Sequence, residues 1–262
     1  MRQSNGYLLM FTGILTIVCA LVLAGLSIAL KKPTEENEKL DKRSKILGAA
    51  TDIEGLSNEE INTIYENDIV SFVVDQDGNV LEDVSVDDID IEKQYKDKDF
   101  TKLPVYKYRD DVDPKKFRSY IMPMYGNGLW DNIWGYVSIG NDFNTIKGAI
   151  FAHKAETPGL GAKIAEKDYQ DRFIGKKIFN ESGKLKSVKM EKGEGNKYPD
   201  NPHSVDGMAG ASMTGAGLND MLKKYFGYYE PFMTKEKEQL AGNGNTGGSS
   251  SKAFSIDRNK KD

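Results

Sequence analysis

The sequence predicts a membrane-anchored chain of mixed helix and strand: one N-terminal transmembrane helix, then a soluble domain in which a central twisted sheet is flanked by helices. Three observations predict it. Residues 7–30 run YLLMFTGILTIVCALVLAGLSIAL without a charge, which exceeds the roughly 20 apolar residues that cross a bilayer as a helix. The middle of the chain repeats short β-branched and aromatic runs, IVSFVV, LPVYKY, IWGYVSI and TIKGAIFAHK, each bounded by turn residues in the manner of strands. Two further segments, 162–175 and 210–229, space their apolar residues as helices do.

The apolar stretch reads as an uncleaved anchor. The apolar region of a secretory signal is usually about 7–15 residues long, and no A-x-A site precedes Lys31. Arg2 stands before the helix, whereas Lys31, Lys32, Lys39, Lys42, Arg43 and Lys45 follow it. By count alone this charge pattern places the large domain inside. Beyond Pro33 the run TEENEKLDKRSKILGAA, with apolar Leu40, Ile46 and Leu47, predicts a mostly solvated helical stalk. The organisation expected is an anchor over 1–32, a stalk over 33–55, a folded domain over 56–235 and a polar tail over 236–262.

Inside the folded part, Ser57 and Glu60 are spaced as a capping box opening a short helix through Ile61 and Ile64. Strand IVSFVV follows from Ile69, and an Asp77-Gly78 turn leads to Val80-Leu81. The aromatic, glycine-rich stretch YGNGLWDNIWGY lies among the strands; Trp130 and Trp134 in it are read as core or sheet-packing residues, with a wall for a ring-shaped ligand as the alternative. AKIAEKDYQDRFIG predicts a helix ending at Gly175, KLKSVKM a strand, and GASMTGAGLNDMLKKYFGYY a second helix. The aromatic run 225–232 is read as core packing, and beyond Pro231 the glycine- and serine-rich end predicts a flexible tail.

Composition excludes several functions. A net charge of -4, from 36 basic and 40 acidic residues, offers no field for nucleic acid. The single cysteine, Cys19, excludes an intrachain disulfide and a thiolate cluster held by this chain alone, and two histidines, His153 and His203, are too few for a His-rich metal site. No metal ligand set and no catalytic acid or base is assigned.

Two segments carry unusual local chemistry, HKAETPGLGAKI at 153–164 and VDGMAGASMTGAG at 205–217. In the second, Gly210-Ala211-Ser212 precede a helix whose free amides and dipole favour an anion such as phosphate. The plain alternative is an ordinary glycine-rich helix start capped by Ser212 or Thr214. Neither a phosphate-binding P-loop nor a dinucleotide fingerprint is present, and Thr214 stands where the last glycine of G-x-S-x-G belongs, leaving His203 and Asp206 as weak partners for a serine hydrolase. In the first segment, residues 157–161 form a tight loop able to present amides and Leu160 to a flat ring. Its plain alternative is a connection from strand to helix.

These segments, together with ENEKLDKRSKIL, YGNGLWDNIWGYVSI and DRFIGKKI, resemble the covalent FMN-binding domain family over nearly the whole chain. Within it they resemble the family of C subunits of Na+-translocating NADH:quinone oxidoreductases. The resemblance implies an α+β fold with an FMN-binding domain, and FMN joined through its phosphate to a hydroxyl in a motif like D-x-x-[ST]-G-A-T. Residues 206–212 match that motif with two departures: Ala209 replaces the Ser or Thr, and Ser212 replaces the acceptor Thr. The resemblance therefore implies Ser212 as the attachment residue with Thr214 as fallback. It puts Asp206 in the attachment step, Gly210 and Ala211 at the phosphate, and Glu156, Thr157 and Leu160 at the flavin ring. It further implies a flavin transferase using FAD, and the oxidoreductase's other subunits, especially the B, D and E subunits, as partners. The soluble domain would then lie outside the cytoplasmic membrane, against the charge count. Two alternatives stay open: the G subunit of the related ion-translocating ferredoxin oxidoreductase, which shares the flavinylation motif, and a flavin-free assembly subunit.

Overall fold

The computed structural model describes residues 5–109, 116–196 and 198–243. Helix α1, Asn5–Gly48, is a single rod of 44 residues, about 66 Å at 1.5 Å per residue. It contains Pro33, whose ring costs one backbone hydrogen bond without ending the helix. Its apolar half makes no packing contact that buries it, and among the described residues it is the one helix long and apolar enough to cross a membrane. The stalk departs from the expected solvated helix at its far end. Ile46 and Leu47 are fully buried, because the last turn of α1 lies on the sheet and forms a core with Val73, Tyr106 and Ile121.

Helix α2, Asn58–Asp68, opens with the expected capping box: the Ser57 side chain accepts from the Glu60 amide while the Glu60 carboxylate accepts from the Ser57 amide. It feeds directly into β1, Ile69–Val74, which turns back as β2, Val80–Leu81. Helix α3, Ile91–Asp97, precedes the four long strands β3, Leu103–Arg109; β4, Phe117–Asn127; β5, Asn132–Gly140; and β6, Ile146–His153. All six strands join one antiparallel sheet in the order β2-β1-β3-β4-β5-β6. Strand β4, the longest, is not among the strands the sequence predicts: Pro123 and the glycine at 126 weaken its strand signal. Trp134 stacks on its register partner Tyr125 across β4 and β5, with ring centroids 6.3 Å apart. That meets the packing role expected of it.

The segment 162–175, expected as one helix, is instead covered by a 3-10 turn at Gly161–Ala165, a single turn of helix α4 at Lys167–Gln170 and a second 3-10 turn at Asp171–Phe173. The break falls at Glu166, whose backbone is extended (φ -82°, ψ 139°). The strand expected over 184–190 shrinks to β7, Lys189–Met190, which pairs in parallel with β8, Ser204–Val205. The last helix, α5, runs Ser212–Asn243. It passes through Pro231, where the sequence places its end, because Phe232 and Met233 are buried and Glu236 is tied to the sheet. The expected tail therefore begins later, and residues 244–262 lie outside the described residues.

Helix α5 covers the sheet face opposite α1, burying Leu218, Leu222, Tyr225, Phe226, Tyr229 and Phe232. The aromatic run is core, as expected. Tyr229 is fully buried, and its hydroxyl donates to the carbonyl of Pro104 at 2.8 Å, with that of Pro123 at 3.3 Å. Near its far end, the Glu236 carboxylate takes Lys107 Nζ at 3.3 Å and the Tyr120 hydroxyl at 3.2 Å. The Lys107 ammonium also lies 4.8 Å from the Phe72 ring centroid, so this charge is held by both an acid and an aromatic face. Replacing Tyr229 by Phe keeps the ring and strands a buried carbonyl. The expected cost is about 1–3 kcal/mol, read as a lowered unfolding midpoint of the detergent-solubilised chain. An unchanged midpoint would show that this contact does not fasten α5 to the sheet.

Candidate functional site

At one end of α5 three loops meet on a single carboxylate. Glu156 follows β6 and is only 4% exposed. Its Oε1 accepts the amides of Leu129 at 2.7 Å and Trp130 at 3.0 Å, both in the β4–β5 turn. Its Oε2 accepts the Thr214 hydroxyl of α5 at 2.6 Å. Burial pushes the Glu156 carboxyl up, but the bonds from Thr214, Trp130 and Leu129 together outweigh it and hold the group below its ordinary value. Two glycines make room for this. A Cβ on Gly128 would sit 2.2 Å from Oε1, and one on Gly161 would sit 2.3 Å from Oε2 and 2.5 Å from the Thr214 hydroxyl.

The neighbouring loop is fixed by the same group. The Glu156 amide donates to His153 Nδ1 at 3.3 Å, which gives His153 a loop-holding role. The Trp130 indole N–H donates to the Thr157 hydroxyl at 3.1 Å, and Leu160 leans on the glycine-rich loop, where a Cβ on Gly210 would lie 2.8 Å from its Cδ2. Trp130, expected in the core, is 70% exposed: its ring is held at the edge of the site by its N–H. Leu129, Leu160 and Met213 are exposed large apolar residues of the same region. Of these, the sequence alone points only to Leu160. Met213 follows the acceptor candidate directly, and Leu129 and Trp130 lie inside the YGNGLWDNIWGY stretch, so adjacency and that stretch are the signals that could have found them.

Ser212 is exposed at the first position of α5, after Gly210 in the left-handed region (φ +73°) and a buried Ala211. The Ala211 carbonyl accepts from the Gly215 amide at 3.0 Å, so the amides of 212–214 precede the helix's own hydrogen-bond ladder. No acidic residue stands in this first turn. The place therefore suits a phosphate, and the exposed apolar side chains beside it suit a flat ring. Thr214, two residues on, is 1% exposed and spends its hydroxyl on Glu156. Asp206 is engaged away from Ser212, where its carboxylate accepts the amides of Gly195 at 2.7 Å, Asn196 at 3.2 Å and Gly207 at 3.0 Å. His203 uses Nδ1 as donor to the Lys177 carbonyl at 2.7 Å. With both groups engaged elsewhere, no hydrolase arrangement forms around Ser212.

The site is a surface. A cleft of about 290 Å³ does exist, bordered by Glu92, Tyr125, Trp134 and Tyr136 between α3 and the β4–β5 pair, but it shares no residue with the site.

Comparison with known proteins gives the family. A model described as the FMN-binding domain matches residues 128–226, a span that opens at the Gly128 turn and closes within α5. The C subunit of the Na(+)-translocating NADH-quinone reductase of Haemophilus ducreyi is 32% identical over 88% of this chain and 93% of its own. That of Neisseria meningitidis serogroup A is 33% identical over 85% and 90%. Among solved structures, the C subunit from Parabacteroides distasonis superposes with a TM-score of 0.68 at 36% identity, covering 78% of this chain and 97% of that one. The Shewanella oneidensis NqrC protein gives 0.67 at 29% identity, covering 77% and 99%. With near-complete coverage at this identity, the chain belongs to the family of the C subunits of Na(+)-translocating NADH-quinone reductases.

Proposed function

We propose that the chain is the electron-carrying C subunit of a respiratory Na+-translocating NADH:quinone oxidoreductase, and that it bears FMN through a phosphoester on Ser212. The observation that carries the reading is the exposed Ser212 hydroxyl at the start of α5, at the end where Leu129, Trp130, Leu160 and Met213 are also exposed. Bound FMN supplies the electron chemistry. The chain's own part would be to hold it: amides of the first turn of α5 would take the phosphate oxygens, Gly210 and Ala211 would leave room for them, and Thr157, Leu160 and Trp130 would bound the ring. Glu156 supports this arrangement from below instead of touching the ring, because both its oxygens are occupied. Asp206 serves attachment by shaping the loop. No residue here is needed as acid or base.

Attachment is a phosphoryl transfer. Ser212 Oγ bonds to the phosphorus of the FMN half of FAD, the bond from that phosphorus to the bridging oxygen breaks, AMP departs with the bonding pair, and the hydroxyl proton passes to the flavin transferase. Ser212 is the acceptor in preference to Thr214 because the latter's hydroxyl is buried and donated. Partners are the other subunits of the membrane complex, especially the B, D and E subunits. Electrons arrive from an iron-sulfur centre in neighbouring subunits and leave to the FMN of the B subunit. The soluble domain lies on the periplasmic side, as the family resemblance implies against the count of basic residues that follow the anchor.

Chain coexpressed with its flavin transferase is expected to retain FMN after denaturation, with peptide mapping placing it on Ser212. Ser212→Ala should abolish the label and Thr214→Val should keep it. FMN mapped to Thr214 would move the site, and an unlabelled protein, where a threonine-bearing relative is labelled, would sink covalent attachment. For topology, a cysteine introduced at exposed Glu181 should react in whole cells with a maleimide that crosses the outer but not the inner membrane. Protection until the inner membrane is breached would put the domain inside.

Glu156→Gln replaces one accepting oxygen by an amide nitrogen that cannot accept, so either the Thr214 hydroxyl or the loop amides lose their partner. A loss of about 1.5–3 kcal/mol is expected, together with a drop in flavin fluorescence anisotropy as the ring gains freedom. Since the folded Glu156 is depressed, its contribution is present above the ordinary glutamate value and is lost as pH falls through the folded one. Acid titration of the wild type should therefore loosen the site below the usual carboxylate range. Matching titration curves for wild type and Glu156→Gln would remove Glu156 from this role.

A further inference from the structure

Beside the acceptor loop lies a second group of charged side chains that the flavin site does not use. Two loops brace each other through carboxylates aimed at backbone amides. Asp206 takes the amides of Gly195 and Asn196, and in return Glu194 Oε2 takes the amide of Ala209 at 3.2 Å. Arg172 closes the other side: its Nη1 donates to the carbonyls of Asp206 at 3.3 Å and Gly207 at 2.9 Å. Its guanidinium lies over the Tyr169 ring, 3.7 Å from the centroid. The Tyr169 hydroxyl in turn donates to Glu194 Oε1, and Lys163 Nζ stands 3.6 Å from Oε2.

Arg172 and Glu194 thus hold the backbone at 206, 207 and 209 and are braced in turn by Tyr169 and Lys163, while the exposed Gly210 and Ser212 just beyond are left accessible. The Lys163, Arg172 and Glu194 side chains are 24–32% exposed, and ion pairs at such positions add little to global stability. The ion pairs thus add little to the fold, while the hydrogen bonds of Glu194 and Arg172 converge on the stretch just before one hydroxyl, which matches a role in aiming that hydroxyl. Hydrogen bonds from the Tyr169 hydroxyl and then the Ala209 amide hold the Glu194 carboxyl below its usual range, so the grip persists at neutral pH. Its charges also balance: Lys163 and Arg172 against Glu194 and Asp206 leave no net negative field before an incoming pyrophosphate.

We infer that Glu194, held by Tyr169 and Arg172, is a positioning residue for flavin attachment: by fixing the Ala209 amide it sets the Ser212 hydroxyl in line for transfer of the FMN phosphoryl group from FAD, with AMP leaving. This rests on the reading of Ser212 as acceptor.

The test is the initial rate of covalent flavin incorporation into the full, detergent-solubilised chain by flavin transferase and FAD, followed by intact mass. Glu194→Ala is expected to lower kcat for the transfer about tenfold or more, as small misplacements of a reacting group do, with KM for the acceptor chain within about twofold and the unfolding midpoint unchanged. Tyr169→Phe, which keeps the ring under Arg172 and removes only the hydroxyl, should give a smaller loss of kcat and faster amide exchange at Ala209. Glu194→Gln should recover part of the rate, since its one carbonyl oxygen can still accept from Ala209. Wild-type rates in both Glu194→Ala and Tyr169→Phe would overturn the inference, as would a loss appearing only in KM or tracking the unfolding midpoint. If Glu194→Ala does not fold, Tyr169→Phe alone decides by the same criteria. Wild type that takes no label at all overturns the acceptor reading and this inference with it, whereas labelled wild type with equally labelled variants overturns this inference alone.

Discussion

A buried carboxylate receiving three hydrogen bonds organises the functional end of this chain. Glu156 gathers the β4–β5 turn, its own loop and the first turn of α5 on two oxygens. A charge at 4% exposure is costly unless its lone pairs are filled, and here they are filled by groups that come from distant parts of the sequence. The arrangement works in both directions. The amides of Leu129 and Trp130 need an acceptor in a tight turn, and the carboxylate needs donors. Gly128 and Gly161 are where they are because any Cβ would collide with the carboxylate itself. The exposed position of Ser212 follows from this tie: fixing Thr214 inward, two residues along a helix, turns Ser212 to another face.

The other end of the constraint is the length of α5. A helix that began at Ser212 and stopped at Pro231 would hold the site by its first turns alone. Running on to Asn243, it adds Tyr229 between Pro104 and Pro123, the burial of Phe232 and Met233, and the Glu236 clasp on Lys107 and Tyr120. The helix N-terminus suited to a phosphate is thereby a continuation of the main core. The sheet's opposite face takes the end of α1 in the same way, through Ile46 and Leu47, so the membrane anchor and the candidate flavin site are attached to two faces of one sheet.

Much of this is legible in the residues. The anchor, the Ser57–Glu60 box, strands β1, β3, β5 and β6, and the unusual character of 153–164 and 205–217 all follow from local pattern. What escapes a reading of the sequence is set by distant partners. Strand β4 carries Pro123 and Gly126, which argue locally against a strand; its neighbours on both sides supply the hydrogen bonds that override them. Pro231 looks like a stop, but the sheet beneath it rewards continuation. Trp130 and Trp134 look alike in sequence, and only pairing separates them: one has Thr157 as partner for its N–H and open solvent for its ring, the other has Tyr125 as register partner. The hydrogen bonding of Glu156 escapes too, because its partners at 129, 130 and 214 lie far from it in sequence.

An open site also fits what an electron carrier has to do. A buried cavity shields a ligand on all sides and suits chemistry that must exclude water. At the end of α5 the apolar side chains stand outward instead, with Trp130 at 70% and Met213 at 64% exposure, and the Glu156 carboxylate beneath them is engaged in hydrogen bonds. A flavin held as proposed, at its phosphate end and edged by Leu160 and Trp130, would keep one face available to a partner. The proposed covalent link would compensate for the small contact area, since a ring lying on a surface buries too little to be retained by burial alone. On the proposed attachment, an exposed ring and a covalent link would be a single requirement, and both would fall on Ser212, the residue that the Glu156 tie turns outward.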